Sequence, residues 1–217
     1  MNNQEFFIRL EQRADYRAVE ELTREAFWNV YKPGCDEPYF VHIMREHADF
    51  IPELAFVITH GDTIVANIMY LRSWLEDEAG TRKEILSFGP ISVHPDYQRR
   101  GLGKMLISHS AEAALRLGYD TVVIYGNPEN YVCSGFKSCK RYQICLEGGA
   151  FPTALLVKEL KPGVLDGSKR LIYRESDAPT LITPEKAAEF DRSFPPKEPA
   201  WMPSQEKFYI YSHSTIG

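Results

Sequence analysis

A chain of 217 residues, 44% hydrophobic and 25% charged, has the balance of an ordinary globular protein and the length for one well-buried core. A formal net charge of -5 excludes an overall basic surface, so nucleic acid is not an expected partner. No apolar run approaches the roughly 20 residues a membrane span requires, and Met1 to Glu5 lack the basic and apolar parts of a signal peptide, so no membrane partner and a cytoplasmic location are expected.

Residues 6–9 read as a short strand. Asp15 is a suitable N-cap for a helix to about Tyr31, with Val19, Leu22, Ala26 and Val30 at helical spacing. Lys32-Pro33-Gly34 breaks it, and a second helical stretch covers roughly residues 37–47. Residues 54–59 and 63–71 read as strands joined by His60-Gly61-Asp62. Residues 84–93 form the next strand. Pro90 removes a ladder donor there, which predicts a sheet edge or a bulge, and a local splay just before the loop. A helix follows over 102–117, with Leu102, Met105, Leu106, His109, Ala113 and Leu117 on its apolar face and Gly118 as its stop. His109 is expected to be a hydrogen-bonded core histidine. Residues 121–124 are apolar throughout, as in a strand buried on both faces. Residues 129–134 suit one or two helical turns, and 141–146 and 153–160 complete the sheet.

Beyond residue 160 the composition changes, which predicts a domain over 1–160 and an extension over 161–217. A strand is expected at 171–173 and a helix at 184–190. Pro195, Pro196, Pro199 and Pro203 then crowd together with Phe194, Trp201, Phe208, Tyr209 and Tyr211. The aromatic residues favour a tail docked on the body over a disordered one. Cys35, Cys133, Cys139 and Cys145 form no C-x-x-C pair, so free thiols and no metal site are expected.

The densest chemistry lies at residues 91–104. A strand ends at Val93, a turn carries Arg99 and Arg100, and Gly101-Leu102-Gly103-Lys104 opens a helix. A helix N-terminus offers unpaired N–H groups and partial positive charge, which together hold phosphate. The third glycine of a dinucleotide fingerprint is missing, because Leu106 stands in its place. The serine or threonine of a Walker loop is missing too, because Met105 follows Lys104.

Val93-x-Pro95-x-x-Gln98-x-x-Gly101-x-Gly103 resembles the acetyl-CoA signature of the GCN5-related N-acetyltransferases, and Tyr131-x-x-x-Gly135-Phe136 resembles that family's second motif. Gly89-Pro90-Ile91 with Gly126-Asn127-Pro128-Glu129 is similar to a bacterial subgroup of the family. The resemblance covers residues 5–160 and implies an α/β (α+β) fold, a mixed, mostly antiparallel twisted sheet flanked by helices. It implies acetyl transfer from acetyl-CoA to a primary amine by direct attack in a ternary complex. Ile91, Ser92 and Val93 would pair with the pantetheine arm. The amides of Arg99, Arg100, Gly101, Leu102, Gly103 and Lys104 would cradle the pyrophosphate, with Gln98 bracing the turn. Tyr131 would protonate the departing thiolate, and Asn127, four residues before it, would touch the cofactor. Glu84, on the strand before the loop, is the candidate general base, and Asp36 and Glu37 would line the acceptor side. The aromatic tail favours a small-molecule amine acceptor. A protein amine, a non-catalytic acyl-CoA-binding module and a homodimer remain open.

Overall fold

The computed structural model describes residues 5–217, and the reading of Met1 to Gln4 lies outside them. Strands β1 (Phe6–Leu10), β2 (Phe56–His60), β3 (Thr63–Glu76) and β4 (Arg82–Val93) form an antiparallel meander. Strand β5 (Thr121–Tyr125) runs parallel to β4, and β6 (Lys137–Ser138) and β8 (Leu155–Glu159) continue the sheet in the order β5-β8-β6. Strand β7 (Ile144–Cys145) pairs with β9 (Leu171–Arg174), and β9 pairs with the far end of β3. The sheet is therefore mixed and mostly antiparallel, as expected.

Helix α3 (Leu102–Arg116) covers one face of the sheet. Its Leu102, Leu106 and Ile107 pack on Ile68, Tyr70, Leu86 and Ile124. Helices α1 (Tyr16–Phe27) and α2 (Glu37–Met44) cover the other face, where Val19, Val41 and Met44 meet Val57, Met69 and Leu71. A short helix, α4 (Pro128–Tyr131), follows β5, and α5 (Pro184–Asp191) and α6 (Pro203–Ser212) lie in the C-terminal extension. No helix among the described residues is long and apolar enough to cross a membrane.

Several elements differ from expectation. Helix α1 stops at Phe27, because Asn29 turns to φ 62° and its Oδ1 accepts the Gly34 N–H at 2.8 Å. Asp15 does not cap α1 with its side chain. It accepts from Arg9 at 2.5 and 2.9 Å and from the Gln12 N–H at 2.7 Å, within a 3-10 turn. Helix α2 ends three residues early, at Met44. Residues 141–146 give a 3-10 turn and the two-residue β7, separated by Gln143 at φ 53°.

The buried stripe of α3 also differs: it runs through Leu102, Leu106, Ser110 and Ala113, and leaves Met105 and Leu117 exposed. Ser110 escapes a hydropathy reading because its hydroxyl is satisfied inside, by Leu106 O at 2.7 Å and the Tyr70 hydroxyl at 2.8 Å. His109 consequently falls at the edge of the stripe, half-exposed, and sets its ring edge-on to Phe56 at 4.8 Å.

Candidate functional site

Two features part β4 from β5. Gly89 and Pro90 together stand opposite the single residue Met69, a bulge that bends β4. The parallel ladder between β4 and β5 consists of one registered pair, Leu86 with Val122. Beyond that pair the β5-facing edge of β4, with Ile91, Ser92 and Val93, is in register with no strand among the described residues. The Ser92 hydroxyl itself turns away, donating to Thr23 Oγ1 at 3.2 Å, so this edge offers backbone rather than side chain.

The end of β4 is a cradle of amides. His94 Nδ1 accepts the Asp96 N–H at 3.3 Å to start a 3-10 turn, and Gln98 Nε2 donates to Val93 O at 3.1 Å and braces it. Arg99 at φ 59° and Gly101 at φ 85° reverse the chain into α3. The N–H groups of Arg99, Arg100, Gly101, Leu102, Gly103 and Lys104 donate to no atom among the described residues, and no side chain caps the helix. Arg99, Arg100 and Lys104 are exposed beside them, with Arg100 held by Asp96 O at 2.9 Å. Six free amides, a helix N-terminus and three cations suit a polyanion such as a pyrophosphate.

The end of β5 carries different chemistry. Asn127 caps α4 by accepting the Glu129 N–H at 3.0 Å. Tyr131, at the last turn of α4, sets its ring 5.9 Å from Phe88 and 5.7 Å from Phe136. Gly126 is what lets it do so: a Cβ there would lie 2.8 Å from Tyr131 Cδ2 and closer still to Cε2. Burial, with a smaller contribution from Tyr31, holds the Tyr131 phenol well above its ordinary value. Behind Gly126 opens a cavity of about 360 Å³, walled by Tyr31, Tyr125, Asn127 and Asn130 on the body and by Phe208 and Tyr211 of α6.

Glu84 is not brought to this opening. It lies on the other side of the Leu86–Val122 pair, exposed, accepting from the Tyr119 hydroxyl at 2.8 Å and facing Arg72 Nε at 3.5 Å. One acidic group whose charge reaches the cavity wall is Glu37, at the start of α2. Desolvation raises its carboxyl to about 7, although the Asp36 N–H donates to it at 3.1 Å. Burial, and after it the charge of Glu37, raises Tyr31, a wall of the cavity. All four cysteines are free.

The acetyltransferase (GNAT) family model matches residues 19–132. The chain is 26% identical over 169 residues to the uncharacterized N-acetyltransferase YhbS of Escherichia coli K12, across 77% of this chain and 96% of the relative. It is 25% identical over 135 residues to the uncharacterized N-acetyltransferase YjhQ of the same strain, across 62% and 71%. Among solved structures it superposes on the E. coli YhbS complex with CoA at a TM-score of 0.71 and 20% identity, covering 84% of this chain and 96% of that one. A Brucella melitensis GNAT family acetyltransferase in complex with acetyl-CoA gives 0.63 and 20%, covering 81% and 99%.

Proposed function

The chain belongs to the acetyltransferase (GNAT) family, and we propose that it transfers an acetyl group from acetyl-CoA to the primary amine of a small molecule, by direct attack with both substrates bound. The observation that carries this reading is the parted sheet. One strand end carries the anion cradle, and the adjacent one carries Tyr131 and the cavity.

Acetyl-CoA supplies a pyrophosphate, an amide-bearing arm and a thioester electrophile. The free amides from Arg99 to Lys104 fit the pyrophosphate. The edge of β4 at Ile91, Ser92 and Val93 takes the arm as an added strand. An N–H of that edge donates to the thioester oxygen as charge develops there. Asn127, whose Oδ1 is engaged in capping, has its amide hydrogens left to donate to the same arm.

Glu37 takes the proton that an ammonium must lose before attack. A carboxyl near 7 suits this task, since a base works best with a pKa near the working pH. Tyr131 donates toward the departing sulfur. A phenol held above 10 giving its proton to a thiolate near 8.5 is uphill by more than about 2 kcal/mol. Its role is therefore a hydrogen bond that strengthens in the transition state, with transfer completed as the nitrogen loses its own proton.

The test is thiol release from acetyl-CoA across a panel of amines. Tyr131→Phe is expected to lower kcat about 100-fold with acetyl-CoA affinity kept. No thiol release with any amine despite coenzyme A binding leaves a non-catalytic binding module. Turnover of lysine peptides but not of small amines assigns a protein acceptor instead.

A further inference from the structure

We infer that the cavity beneath α6 is the acceptor subsite and that it takes a primary amine carried on a single aromatic ring. This rests on the acetyl-transfer reading above and adds the substrate class to it. Helix α6 gives one face to the cavity: Ser204, Lys207, Phe208, Tyr211 and Ser212 recur at three- and four-residue steps, while Tyr209 and Ile210 point out to solvent. That face is fixed in place. The ring of Phe208 lies 4.6 Å from that of Tyr31, and Gln205 Nε2 donates to Asn29 O at 3.1 Å and Ala200 O at 2.9 Å. Beyond the helix, Ser214 O accepts the Thr153 N–H at 2.9 Å, and the Ile216 N–H donates to Phe151 O at 2.8 Å. The extension is thus a wall of the cavity pinned at both ends.

Chemistry and size narrow the occupant. Four of the lining side chains are aromatic, Tyr31, Tyr125, Phe208 and Tyr211, and their rings suit both a flat apolar body and a cation over a face. Two carboxyl groups bracket them. Glu37 acts on Tyr31, and Glu175 lies close enough to Tyr125 for its charge to be felt there. At about 360 Å³ the cavity stands near the small end of ligand pockets, room for one ring and a short amine arm and too little for a folded protein surface. Gly126 forms the shared boundary, with the cavity on one side and the Tyr131 ring on the other.

The experiment uses the full chain, with phenethylamine as the aromatic probe and 1,6-diaminohexane as the straight-chain one. Acetyl-CoA turnover is expected to favour phenethylamine at least 10-fold in kcat/KM. Phe208→Ala and the cavity-filling Ser212→Phe should each lower that value at least 10-fold. Ile210→Ala, on the outer face of the same helix, should leave it unchanged, and acetyl-CoA affinity should hold in all three. Circular dichroism separates these losses from unfolding, and Ser212→Phe gives up only exposed hydrogen bonds of its hydroxyl with Tyr209 O and His213 Nδ1, both at 3.1 Å. Equal use of both amines, or indifference to Phe208→Ala and Ser212→Phe, overturns the inference while acetyl transfer stands. If nothing is acetylated, the transfer reading fails and the cavity is judged by calorimetry with coenzyme A present. Phenethylamine binding that Ser212→Phe abolishes upholds the subsite, and no binding to the unaltered protein overturns it.

Discussion

Gly101 and Gly103 look alike in the sequence and are held for different reasons. Gly101 sits at φ 85°, where any side chain is strained. Gly103 has helical backbone, and a Cβ there would make only ordinary contacts, 3.9 Å from Ile91 Cδ1 and Val93 Cγ2. Nothing in the chain forbids alanine at 103, so on the proposed reading it is the pyrophosphate that needs the space. Gly103→Ala should keep the melting temperature, or gain up to about 1 kcal/mol of helix propensity, while acetyl-CoA affinity falls at least 10-fold by calorimetry. An unchanged Kd would remove the pyrophosphate from this cradle. The loop was legible in the sequence because its geometry is local, set by residues within a few positions of one another. Glu37 was legible only as an acidic residue on the acceptor side, because its raised pKa comes from desolvation by packing that no spacing encodes. That shift has a definite sign. A carboxyl raised from 4.5 to about 7 contributes stability that is complete below 4.5 and is lost as pH rises through 7. Glu37→Gln should therefore match the parent protein at pH 4 and exceed it at pH 8, by an amount on the order of 1 to 3 kcal/mol in denaturant titrations. If Glu37 is the base, the same substitution removes the rise of kcat/KM with pH centred near 7. Equal stabilities at pH 8 would mean a solvated carboxyl.

The longer elements followed from periodicity and the short ones did not. Helix α3 and strands β2 to β5 carry enough residues to declare a repeat, whereas the two-residue strands β6 and β7 exist only because β8 and β9 lie beside them. The docking of the tail was legible from its aromatic residues, but the anchor was not. Arg24 sits inside α1, 3% exposed, and donates Nε and Nη2 to the two Asp191 oxygens at 2.6 and 3.0 Å and Nη1 to Pro195 O at 3.0 Å. Its guanidinium lies 4.4 Å from the Trp28 ring and 5.2 Å from that of Phe194. A basic residue at helical spacing reads as surface, and only Asp191, far away in the chain, makes it interior. Arg24→Ala leaves a carboxylate without its partner and should cost about 3 kcal/mol. Limited proteolysis should then cut faster within residues 192–203. Because α6 follows this anchor, KM for the amine should rise while acetyl-CoA affinity, which the proposed cradle assigns to β4 and α3, stays constant. Loss of both affinities together would mean that the extension supports the whole sheet rather than the cavity alone.

Across the whole molecule, the amide cradle and the cavity sit at adjacent strand ends and belong to different parts of the chain. The cradle is built by residues 91–104, and the cavity is completed by residues 204–212. Such an arrangement lets both substrates be present together, with the parted strands as the meeting point. A two-stage route would need an acetylated side chain at that point. Cys35 cannot serve, because burial and the neighbouring Glu37 push its thiol far above the usual range and keep it protonated. Cys139 and Cys145 are both buried, Cys139 among Leu75, Ile85 and Val157, and neither thiol is open to acetyl-CoA. Cys133 is exposed two residues past Tyr131, and Cys133→Ser distinguishes the routes. Initial velocities should give intersecting double-reciprocal lines. Incubation with acetyl-CoA alone should add no acetyl mass to the protein, and Cys133→Ser should keep kcat within about twofold, since a surface change away from the reacting atoms removes no transition-state contact. Parallel lines together with an acetyl adduct on Cys133 would replace direct attack with a covalent relay, and the cavity would then be read as the second station of that relay.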